Sequence, residues 1–95
     1  MVIGILTMHL VLHGNNSLKG KRKVALSLKQ KLRNKFNVAV SEIAEHDTHS
    51  VLVLAAVTVS NDANRARSQL QKALNMVEAT HLADLEYDDI ELIGA

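Results

Sequence analysis

Eight Lys and Arg side chains fall between Lys19 and Lys35, and residues 1–41 contain no Asp or Glu. Residues 42–95 carry three basic and ten acidic side chains, so +8 and −7 combine to a net charge of only +1. A patch this dense sets up a local field whatever the net charge, and the chemistry it suits is the binding of phosphates or of an acidic protein surface. Lys19, Lys21, Arg22, Lys23, Lys29 and Arg33 are the candidate contacts to a nucleic-acid backbone. Such contacts position a partner without reading its sequence. Ser17, Lys19, Lys21 and Arg22 also surround an expected helix start, where unpaired N–H groups and the positive end of the dipole suit a phosphate. Gly20 allows close approach there, or is a surface glycine costing about 1 kcal/mol relative to Ala.

Other chemistries find no constellation. The glycine and lysine spacing of a phosphate-cradling nucleotide loop is missing, which argues against a nucleoside triphosphatase. His9 and His13 share a strand face but lie about 13 Å apart by strand rise, too far to hold one ion. His46 and His49 flank Asp47 in a polar stretch, a combination that arises often by chance, and no metal site is assigned to them. Asp84, Glu86, Asp88, Asp89 and Glu91 form an acidic strand that guards an edge against aggregation rather than a catalytic pair. The chain has no Cys, hence no disulfide, thiolate nucleophile or Cys-based zinc site, which fits a reducing cytoplasm. No catalytic residue and no cofactor is expected.

The elements that position the basic residues follow from periodicity. Met1 to His13 alternates as a strand, with Val2, Leu6, Met8, Leu10 and Leu12 on one face and Ile3, Ile5, Thr7, His9 and Val11 on the other. Gly14 to Asn16 turn the chain, Ser17 caps, and a helix is predicted from about Leu18 to Asn34. Val24, Ala25, Leu28 and Leu32 make its buried stripe, with Lys19, Arg22, Lys23, Lys29 and Arg33 opposite. Phe36 to Ala44 alternates again, Glu45 to His49 forms a hairpin, and Val51 to Val59 is apolar on both faces, as a central strand is. Ser60, Asn61 and Asp62 offer caps for a second helix through Ala66, Leu70, Ala73, Leu74 and Val77, ending near Ala79. A last strand covers about Ala83 to Ile93.

The order is βαββαβ, which predicts an α+β, ferredoxin-like sandwich: one antiparallel four-stranded sheet with both helices on one face, a single domain over residues 1–95. In that topology the first helix crosses the third strand, and the acidic last strand lies beside the second helix. The basic helix is therefore expected on the far side of the sheet from that acidic strand. It also opposes its own stability, since Lys19 with Lys23, Lys29 with Arg33 and Lys31 with Lys35 are like-charge pairs at four-residue spacing, each unfavourable by roughly 0.2–0.5 kcal/mol. Three readings stay open: a solvated face, a nucleic-acid surface, or a surface neutralised by an acidic protein or a second subunit.

RNA-recognition domains of this topology carry stacking aromatics on the opposite sheet face, and here neither the first nor the third strand has one. An apolar sheet face of this size is an unusually large patch to leave wet, which points to a homodimer. No apolar run approaches the roughly 18–20 residues of a membrane span. The first thirteen residues lack the basic start of a signal peptide, so a soluble, cytoplasmic protein is expected.

Ser17-Leu18-Lys19-Gly20-Lys21-Arg22, then Arg33 to Glu42, then Val59-Ser60-Asn61-Asp62, with the opening Val2-Ile3-Gly4, resemble the YlxP-like family of small bacterial proteins across nearly the whole chain. The resemblance implies a ferredoxin-like fold and a domain of unknown function, often encoded beside genes for translation initiation and ribosome maturation. By analogy it raises association with ribosomal RNA or the ribosome. The family's usual acidic residue within the Ser-Leu-Lys motif is replaced here by Gly20, which leaves the site more positive. Two functions are carried forward: a non-enzymatic RNA- or ribosome-associated protein acting through the basic helix, and a homo-oligomeric interaction or small-ligand regulatory domain that docks an acidic protein partner.

Overall fold

The computed structural model describes residues 1–94. Its elements are β1 (Val2–Val11), α1 (Leu18–Lys35), β2 (Ala39–Ala44), β3 (Val51–Ser60), α2 (Ala63–Thr80) and β4 (Asp84–Ile93). The strands form one antiparallel sheet in the order β2-β3-β1-β4, the arrangement expected of the βαββαβ sequence.

Alternation in β1 decides which face is covered. Leu6, Met8 and Leu10 have no exposed surface, and they pair across the ladder with Ala56, Leu54 and Leu52 of β3, which are equally buried. Leu28 and Leu32 of α1 and Leu70, Ala73, Leu74 and Val77 of α2 pack on this side, so both helices share one apolar layer. Each fully buried Leu contributes roughly 1.5–3 kcal/mol of transfer free energy, which offsets the charge repulsion on α1. α2 lies across β1, β3 and β4, whereas α1 approaches β2 most closely and so sits nearer the sheet edge than expected. Gly4 helps to seat α2 on the sheet, because a Cβ there would come within 2.8 Å of Leu70 Cδ1.

Both helices start on the caps the sequence offers. The Ser17 hydroxyl accepts the Gly20 N–H at 3.0 Å, and Asp62 Oδ1 accepts the N–H groups of Asn64 and Arg65. The two helices end differently from the expected boundaries by a residue or so, but the start of β2 differs more. Phe36, read as the first residue of that strand, instead caps α1, its N–H bonded to the Leu32 carbonyl at 2.9 Å, and pairing begins at Ala39.

Candidate nucleic-acid interface

Every Lys and Arg of the chain lies on a helix: eight on α1, and Arg65, Arg67 and Lys72 on α2. Of the ten acids, only Glu78 falls within a helix; the others occupy strands, the β2–β3 hairpin and the α2 cap. The charge asymmetry read along the sequence is thus also a separation of layers in space. The helical layer is cationic and the sheet is acidic, above all along β4 at its outer edge. Among the described residues no ion pair joins α1 to β4.

Within α1 the candidate residues divide. Lys19, Arg22, Lys23 and Arg33 are exposed and Lys29 is half-buried, consistent with an outward basic face. Arg33 also reaches down to β2, where its Nη2 donates to the Val40 carbonyl at 3.0 Å, so its guanidinium is held in one place. Ser17 is exposed, but its hydroxyl already serves the first turn.

Lys21 departs from this outward face. Read as a phosphate contact, it has a side chain that is only 3% exposed and points into the molecule. Its Nζ donates to the carbonyls of Glu45 at 2.5 Å and Thr48 at 2.8 Å, and lies 2.9 Å from Glu42 Oε2. That last approach is a contact of charges rather than a well-directed hydrogen bond. The physical reason for the burial is helical period. Lys21 precedes Ala25, Leu28 and Leu32 on the same stripe, and in the first turn of α1 it meets a hairpin whose carbonyls need a donor. The signal that could have found it is this spacing, together with Glu42 as the first carboxylate in the chain.

A second bracket closes beside it. Asn15 Nδ2 donates to the carbonyls of Ser17 and His49, and the His49 ring meets the Asn15 carbonyl at 3.2 Å. Gly20 belongs to this bracket: the space of a Cβ is taken by the Asn15 side chain. Its small size therefore serves packing within the chain, not close approach of a phosphate.

Burial tends to raise the pKa of Glu42, but contacts with Lys21 and His46 and their charges outweigh it, leaving the carboxyl below its ordinary 4.5. A carboxyl whose folded pKa is depressed adds stability above the unfolded value and loses it as pH falls through the folded one. The urea midpoint should therefore fall as pH drops below about 4.5, and Glu42→Gln should flatten that decline. An acid limb as steep in the variant as in the wild type would remove Glu42 as its source.

The histidines do not converge. His13 Nε2 lies 2.9 Å from Asp84, His46 Nδ1 lies 3.5 Å from Glu42, and His9 stacks edge-on to Tyr87 with ring centroids 5.3 Å apart. Among the described residues no three His, Asp or Glu side chains are grouped to hold a metal ion, and no helix is long and apolar enough to cross a membrane.

This geometry defines a ferredoxin-like α+β domain, and solved structures share it. The structural-genomics protein YJCS superposes with a TM-score of 0.56 at 12% identity, covering 97% of this chain and 99% of that one. A putative antibiotic biosynthesis monooxygenase from Chloroflexus aurantiacus J-10-fl gives a TM-score of 0.54 at 10% identity, covering 100% and 95%. Identities this low bear on fold alone. Residues 3–91 match the family described as protein of unknown function DUF503, and the chain belongs to that family. The uncharacterized protein YlxP of Bacillus subtilis (strain 168) is 30% identical over 78 residues, 82% of this chain and 85% of that one. The resemblance read from Ser17 to Arg22 and its companion segments is therefore correct.

Proposed function

We propose that this is a non-enzymatic RNA-binding protein that associates with ribosomal RNA or the ribosome through its helical layer. The observation that carries the reading is the gathering of all eleven Lys and Arg on two adjacent helices, with the acids kept to the other layer. Lys19, Arg22, Lys23, Lys29 and Arg33 meet phosphates, while Lys21 fixes the helix to the hairpin beneath them. An outer face this cationic costs repulsion in the free protein, and a polyanion relieves it while releasing counterions. The sheet face suits RNA less well: Tyr87 is exposed there against His9, but Asp89 and Glu91 share the face with it and no Lys or Arg does. Binding to ribosomal RNA measured over a salt series tests the reading. Log affinity falling linearly with log salt supports it, and weak, salt-independent binding contradicts it.

The sheet face takes a second copy of the chain. Ile3 lies between Val59 and Ile93 on this face, with Ile5 and Val57 paired next to them, and Val59 and Ile93 are 56% and 47% exposed. Three strands of about 33 Å and one of about 20 Å, spaced about 4.8 Å apart, cover roughly 570 Å² per copy, or about 1,100 Å² in a pair, at the low end of specific interfaces. Such a dimer directs both helical layers outward, so assembly and RNA binding do not compete. Sedimentation equilibrium of the wild type should give twice the mass of the chain, and Ile5→Lys should give a folded monomer. A monomeric wild type at high micromolar concentration would refute the dimer.

A further inference from the structure

Two clefts meet on the helical side, one of about 440 Å³ and one of about 360 Å³, and both are lined by Phe36 and Lys72. Together they form a groove along one face of α2, from Arg65 to Ala79, a run of about 21 Å at the helical rise. Its other wall is the end of α1, where Lys35 and Phe36 stand. Lys35, Arg65 and Lys72 supply the charge, and none of the lining residues is a carboxylate. Of the acids flanking it along α2, Asp62 is engaged by the N–H groups of Asn64 and Arg65, and Glu78, next to Ala79, is not among the lining residues. Phe36 is the only Phe of the chain; it is half-buried, and the Lys35 ammonium lies 5.9 Å from its ring centre.

We propose that this groove holds an unpaired nucleotide of an RNA strand, its base stacked on Phe36 and its flanking phosphates on Lys35, Arg65 and Lys72. The inference rests on the RNA reading above and adds to it the form of RNA that is bound. A cationic groove that follows a backbone, with an aromatic ring set into it, is the arrangement by which proteins hold single strands. A paired base keeps its faces within the helix and cannot reach a ring, so the strand must be open at this point. Asn64, Ser68 and Asn75 along the wall provide amide and hydroxyl groups for a base edge. An acidic peptide would use the cations but offer no flat face to the exposed part of the ring.

The test uses octauridylate, an abasic octamer, an RNA duplex of equal length, uridine monophosphate and polyglutamate. Because the chain has no Trp, Phe36→Trp places a single fluorescent reporter in the groove. Octauridylate should quench it, whereas the duplex, the abasic strand and polyglutamate should not. Uridine monophosphate should bind far more weakly than the octamer. Phe36→Leu should weaken octauridylate binding roughly 5- to 150-fold with the salt slope unchanged, as expected for the loss of one stacked base. Lys72→Glu, at an exposed position that folding does not need, should lower the slope by about 1. Equal binding of abasic and normal strands, tight binding of the mononucleotide, or full affinity in Phe36→Leu would each overturn the site. If the duplex still binds and reversal of α1 charges still abolishes that binding, the RNA reading survives without the groove. If no RNA binds the wild type, both fall together.

Discussion

Lys21→Ala should destabilise the protein by about 3–5 kcal/mol, enough to leave much of it unfolded at ambient temperature. The ammonium is the shared partner of two hairpin carbonyls and the Glu42 carboxylate. Without it a charge and two acceptors are left with little access to water, and the cost is the desolvation of those groups rather than the modest net worth of the bonds. Glu42 is 23% exposed, so some water reaches it and the lower end of the range is the better expectation. Urea denaturation of Lys21→Ala, Glu42→Gln and the double variant separates the contributions. The double variant should be less destabilised than the sum of the singles by about 0.5–3 kcal/mol, because the two residues form one contact. A Lys21→Ala protein as stable as the wild type would show that the hairpin is anchored by other contacts.

The period that buries Lys21 was present in the sequence, and chemistry hid it. A Lys is almost never fully buried unless paired, and its partners come from a hairpin 24 and 27 residues further along the chain. No local pattern announces such a meeting. The surrounding elements were legible for the opposite reason. Alternation in β1, the Ala25-Leu28-Leu32 stripe and the cap at Asp62 are all short-range signals, and each agrees with the others about which side is the core. Phe36 shows where such signals fail. It alternates with Val38 and Val40 as a strand residue would, yet its N–H is still bound to Leu32, one helical turn back. The charge asymmetry was visible as a run of residues, but its arrangement by layer was not. That required Arg65, Arg67 and Lys72 to be brought next to α1 by the packing of the two helices.

The triple variant Lys19→Glu/Arg22→Glu/Lys23→Glu should bind ribosomal RNA at least about 100-fold more weakly than the wild type at moderate salt. Its salt slope should be shallower by about 2–3. All three side chains are exposed, and none makes a contact that the fold requires. Stability should hold or rise, since Glu in the first turn of α1 suits the helix dipole where Lys opposes it. Binding and folding thus move in opposite directions, which separates a lost surface from a lost structure. Lys21 stays out of this variant because its reversal would unfold the chain. If affinity were retained in the folded triple variant, the outer face of α1 would be a solvated surface and nothing more.

The reading of this fold as a carrier of one cationic face depends on that face meeting RNA within a ribosomal particle. The most direct measurement is cosedimentation of the purified protein with ribosomal subunits over a salt series, with the folded triple variant beside it. Salt-sensitive binding by the wild type, absent from the variant, is the predicted result. No cosedimentation of folded wild-type protein even at low salt would contradict it, and would direct the search to an acidic protein partner for the same helices.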